Sequence, residues 1–93
     1  MKIPKTLKIG GHIFEVILKD RNRDGGSNPA SINTGICKIW IDNKQAKSQV
    51  ESSLIHEIIE AIDYLYGLDL EHKQIEVIES AFYQVLKDNS LLK

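Results

Sequence analysis

Cysteine, methionine and tryptophan occur once each, and proline twice, in the 93 residues of this chain. A lone cysteine, Cys37, excludes an internal disulfide framework, so packing or a bound metal must hold the fold, as suits a reducing cytoplasm. Cys37 itself reads as a small apolar residue within a strand. Charge of one sign is also missing: 12 basic residues stand against 13 acidic ones, a formal net charge of −1. A protein whose main work is gripping phosphates carries a basic excess. This sequence has none, and neither a helix-turn-helix signature nor a basic helix, so no nucleic-acid partner is expected. No apolar run approaches the ~20 residues that cross a bilayer. The stretch Met1–Ile9 has lysines but lacks the apolar core and cleavage site of a secretory signal. The expectation is a cytoplasmic protein with no membrane partner. What is present, 42% hydrophobic and 27% charged residues, is the composition of a folded domain. The length allows a single domain over 1–93 with one modest core.

The chain divides into a strand-rich part, 1–45, and a helical part, 46–93, which predicts an α+β fold with an N-terminal antiparallel sheet. Gly10-Gly11 is the turn of a hairpin between Thr6–Ile9 and His12–Leu18, with Phe14, Val16 and Leu18 alternating on one face. Asp20–Pro29 is dense in turn formers and charge and reads as an exposed loop. Ala30–Asn33 and Ile36–Asp42 are two further strands joined through Thr34-Gly35, with Trp40 expected in the core. From about Ala46 the period changes. Val50, Leu54, Ile58, Ala61 and Leu65, widened by Ile55, Ile59 and Ile62, describe a helix apolar almost all round, which belongs at the centre of the fold. Gly67 should end it as a left-handed cap. A second helix then runs from about Glu71 to Asp88, with Ile75, Ile78, Phe82, Val85 and Leu86 turned inward.

The chemistry lies in Ser53–Asp63. His56, Glu60 and Asp63 fall at i, i+4 and i+7, one polar stripe on an otherwise apolar helix, with Glu57 on its flank. Such ionisable groups are costly on a core-facing helix unless they are paired, open to a cleft or bound to metal. The i, i+4 spacing lets two side chains reach one cation, and a flanking glutamate can serve as general base toward an activated water. This is the logic of the H-E-x-x-H metallopeptidase helix. Here Glu60 takes the second ligand position. A carboxylate also binds zinc, but its charge weakens the metal as a Lewis acid.

The order of strands, central helix, short turn and second helix resembles compact zincin-like proteins of phages and bacteria, including the ImmA/IrrE-type metallopeptidases. The stretches that carry the resemblance are Ile9-Gly10-Gly11-His12, Ile39-Trp40-Ile41-Asp42, Leu54-Ile55-His56-Glu57, Ala61-Ile62-Asp63 and Phe82–Asn89. The departure is Glu60, where most zincins place histidine. The resemblance implies a minimal zincin-like, gluzincin-type fold and a hydrolase with one zinc ion. Peptide or protein would be the substrate, met by strand addition at an edge formed by Ile36–Ile41. It also implies a phage-encoded protein working in a host cytoplasm.

In relatives of this type the third ligand is a glutamate of the second helix, and Glu76 best matches that pattern. From spacing alone, His72 and Glu76 share a face, Glu79 adjoins them, and simple antiparallel pairing would set Glu79 opposite Glu60. The expected metal set is therefore His56 and Glu60 with His72 or Glu76, and Glu57 is the expected catalytic base. Asp63 is a candidate for orienting a ligand. Tyr83 is expected to pack rather than to act on an oxyanion, and His12 to lie at the surface. Two other functions compete. One is a non-catalytic zincin-shaped protein that binds metal or regulates. The other is a magnesium-dependent nucleotide pyrophosphohydrolase, suggested by Glu57-x-x-Glu60 and Glu76-x-x-Glu79 but opposed by the strand-rich first half.

Overall fold

The computed structural model describes residues 1–20 and 28–92. Most of the expected loop, 21–27, thus lies outside the described residues. Strands β1 (Thr6–Ile9), β2 (His12–Lys19), β3 (Ala30–Asn33) and β4 (Lys38–Asp42) precede helices α1 (Lys47–Tyr66) and α2 (His72–Asp88). The fold is α+β, a four-stranded sheet with two helices.

Gly10 and Gly11, at φ +56° and +82°, make the two-residue turn that pairs Ile9 with His12. Positive φ at both central residues matches the twist of the flanking strands, and glycine alone takes it without steric cost. The sheet order is β1-β2-β4-β3, antiparallel at both edges and parallel between β2 and β4. This corrects the expectation of an antiparallel sheet. β2 and β4 are far enough apart in sequence for a parallel return, and β3 sits within that connection. The strand at Lys38–Asp42 is therefore interior, and the edge expected at Ile36–Ile41 lies instead at β3.

Residues 34–37 form the turn between β3 and β4, tied by Asn33 Oδ1, which accepts from the backbone N–H of Gly35 and Ile36 at 3.0 and 3.2 Å. Cys37 closes that turn at φ +55°, so it is neither in a strand nor fully buried. Alternation sends Phe14, Val16, Ile39 and Ile41 to one face, where they meet Leu54 and Ala61 of α1 with Val50, Ile58 and Leu65 around them. Trp40 points the other way and is half-buried beneath the Lys19 ammonium, so it is no part of the helix-covered core. Leu18, beyond the helices' cover, is exposed.

α1 lies between the sheet and α2, as its apolar character requires, and among the described elements α2 packs against α1 alone. Gly67 ends α1 in the left-handed region at φ +62°. Asp63 then shapes the reversal. Its carbonyl accepts from Leu68 N–H, and its carboxylate accepts from Leu70 N–H at 2.8 Å. A capping box between Glu71 and Gln74 starts α2 directly afterwards. Of the residues expected to face inward from α2, only Ile75 is buried. Ile78, Phe82 and Val85 are exposed, because no further element among the described residues covers that side of the helix.

Candidate metal centre

The reversal after Gly67 sets the first turns of α2 beside the middle of α1, and the two helices wall a cleft of about 550 Å³ whose third side is Asn28–Ile32. His56, Glu57 and Glu60 line it from α1, and His72, Glu76 and Glu79 from α2. His56, Glu60 and His72 each bring one ligand atom within 4.8 Å of the others. The imidazoles of His56 and His72 lie edge to face with centroids 5.7 Å apart.

Each histidine is steadied by a carboxylate of α2. His56 Nδ1 is 2.8 Å from Glu79 Oε1, and Ser52 Oγ donates to Glu79 Oε2. A carboxylate can only accept, so Nδ1 carries a hydrogen toward Glu79. His56 Nε2, on the other side of the ring, lies 3.5 Å from Glu60 Oε1. His72 Nε2 is likewise 3.0 Å from Glu76 Oε1, which leaves Nδ1 of that ring for a ligand.

Glu57 supplies a second sign of a missing positive charge. It is 3% exposed, and its Oε2 has no hydrogen-bond partner. Burial pushes its carboxyl up to about 9, helped by a hydrogen bond with Glu60 and by the charges of Glu60 and Glu79. A buried carboxyl with one unpartnered oxygen, beside ligand atoms of His56, Glu60 and His72 that lie within 4.8 Å of one another, fits a divalent cation. The donors of that group are nitrogen and oxygen, two imidazoles and one carboxylate.

No family model, curated protein or solved structure matches the chain. The reading therefore rests on geometry. The structure gathers His56, Glu57, Glu60, His72 and Glu76 in one cleft, with Glu76 against His72 rather than within the group of three. Three further residues named from the sequence are placed as follows. Asp63 shapes the α1–α2 reversal through its bond to Leu70 N–H. Glu79 meets His56 and Ser52. Tyr83 is engaged away from the cleft, its hydroxyl donating to the buried Glu51 at 2.6 Å, with the Met1 amine 3.0 Å from the same carboxylate.

Ser52, Gln45, Gln49 and Ser53 were not singled out from the sequence, though they too line the cleft. Ser52 lies one helical turn before His56, a signal that was there to be used. Gln45 bonds the carbonyls of Pro29 and Asp42, joining the strand-side wall to the start of α1. No helix among the described residues is long and apolar enough to cross a membrane.

Proposed function

We propose that the protein is a zinc-dependent hydrolase of peptide bonds. The observation that carries this reading is the gathering of His56, Glu60 and His72 within 4.8 Å of one another, beside a buried glutamate whose Oε2 has no partner, in one open cleft. His56, Glu60 and His72 would hold the ion. When bound, zinc polarises a carbonyl and makes a neighbouring water more acidic.

The remaining work belongs to the chain. Glu57 takes a proton from the attacking water and passes it to the departing amine. A cation nearby favours the ionised form of Glu57 and so converts a protonated, idle carboxyl into a base. Glu79 and Glu76 keep the two imidazoles in the tautomers that coordination needs.

Peptide is the favoured substrate because the third wall is a sheet edge. Asp42 N–H donates to the Pro29 carbonyl, so residues 29, 31 and 33 bond toward β4. The N–H and C=O groups of Ala30 and Ile32 consequently point off the sheet, where no strand among the described residues pairs with them and an extended chain could.

Zinc content and affinity of the tag-free protein test the site, alongside His56→Ala, Glu60→Ala and His72→Ala. Near-stoichiometric zinc, lost or strongly weakened in all three, is expected. If zinc binds but Glu57→Gln leaves every measured hydrolysis unchanged, the base is misassigned. If no divalent metal binds at micromolar concentration, the hydrolase reading falls.

A further inference from the structure

Thirteen acidic and twelve basic residues are nearly balanced over the chain, yet the cleft takes four glutamates and, among the described residues, no lysine or arginine. One divalent cation against four carboxylates leaves two negative charges uncompensated when Glu57 is ionised. A concave wall of one sign focuses its potential on whatever enters. Glu57 shows that the excess is already felt inside the cleft, since its Oε2 is buried there without a partner.

The four carboxylates are not equally free to meet a ligand. Glu57 is buried, and Glu60 faces His56 Nε2. Glu79 is engaged at both oxygens, by His56 and Ser52. Glu76 differs: its side chain is 54% exposed at the rim, and only Oε1 is engaged, by His72. It lines the same cleft as Ala30 and Ile32 of the β3 edge, along which a bound peptide would run.

We propose that the cleft selects peptides bearing a lysine or arginine close to the scissile bond, with Glu76 as the specificity-determining carboxylate. The proposal rests on the peptide reading above, and its test is chosen to fail separately from it. Three fluorescent peptides identical except for one residue, Lys, norleucine or Glu, are titrated into the zinc-loaded protein and into its Glu76→Gln variant. Binding is read by anisotropy and cleavage by mass spectrometry. Gln keeps an acceptor for His72 while removing the charge.

The Lys peptide should bind about tenfold tighter than the norleucine peptide, and the Glu peptide weakest. The gap between Lys and norleucine should shrink to about twofold in Glu76→Gln and in high salt. Equal binding of Lys and norleucine peptides, the same gap in Glu76→Gln, or no binding of any peptide overturns the proposal. If Glu76→Gln loses zinc, the salt dependence decides: a gap that high salt leaves unchanged overturns the proposal, and one that collapses supports it. Cleavage of all three peptides alike would sink the selectivity and leave hydrolysis standing. A Lys preference without cleavage would do the reverse.

Discussion

His56 and Glu79 are joined across the two helices, Nδ1 to Oε1 at 2.8 Å, with Ser52 donating to the other oxygen of Glu79. The imidazole is therefore fixed from the helix that does not carry it. Glu79→Ala should free the ring and let it sample the wrong tautomer. Zinc affinity, measured by calorimetric titration or chelator competition, should fall about 10–100-fold. An unchanged affinity would mean that His56 needs no orienting partner.

Glu57 makes the metal-free protein sensitive to pH in a definite direction. Its folded carboxyl is raised to about 9, whereas in the unfolded chain it ionises near 4.5. Below 4.5 both states are protonated and nothing is lost. Between 4.5 and about 9 the folded state retains a proton that the unfolded state releases, so stability falls as pH rises through that window. Glu57→Gln should raise the melting temperature of the metal-free protein at pH 8 by about 4–8 °C for each kcal/mol regained, and leave it nearly unchanged at pH 4. A variant less stable than the parent at pH 8 would show that the proton Glu57 retains in the folded state is not what lowers stability there.

Glu51 carries the opposite sign. The Tyr83 hydrogen bond, the first of several causes, pulls its carboxyl below the ordinary range, and Tyr83 itself is pushed up to about 12. Stability from this pair is present above pH 4.5 and is lost as pH falls through the depressed value. Tyr83→Phe should cost about 1.5–3 kcal/mol at pH 7, the range for hydrogen bonds to charged groups. Denaturant unfolding at pH 7 and at a series of pH values descending below 4.5 would read both the cost and its decline. Zinc affinity should not move, because neither residue lines the cleft.

Gly10 and Gly11 should not be equally replaceable. Both have positive φ, but a Cβ on Gly10 would come 2.9 Å from Leu65 Cδ1, while one on Gly11 would meet nothing within 4 Å. Gly11→Ala should show only the backbone penalty, about 1–2 kcal/mol. Gly10→Ala should cost more, because the hairpin turn also seats against the end of α1. Equal losses in thermal unfolding would show that Leu65 simply swings aside.

The elements fixed by neighbouring residues were legible in the sequence, and those fixed by distant pairing were not. Gly10-Gly11, the four-residue spacing from Val50 to Leu65 and Gly67 are local signals, and the hairpin and α1 fall where they indicate. The parallel register of β2 with β4 depends on which strands meet after a long connection, and no local pattern records it. The inward face assigned to α2 presumed a second neighbour. With only α1 beside it, the same periodicity leaves Ile78, Phe82 and Val85 exposed. The gathering of His56, Glu57 and Glu60 was readable because ionisable groups at that spacing on an apolar helix need a reason. The contacts of Glu79 and Glu76 depend on helix register, which spacing within one helix cannot set.

The donors of the cleft are divided between a helix embedded in the fold and one attached to it along a single side. An ion coordinated by His56, Glu60 and His72 would thus act as a rivet, closing a short loop of chain and fastening the outer helix to the body. Coordination would add to the contacts from Glu79, Tyr83 and Ile75 that already hold that helix. Backbone amides of α2 should exchange hydrogen faster when chelator is added, while those of β2 and β4 keep their protection.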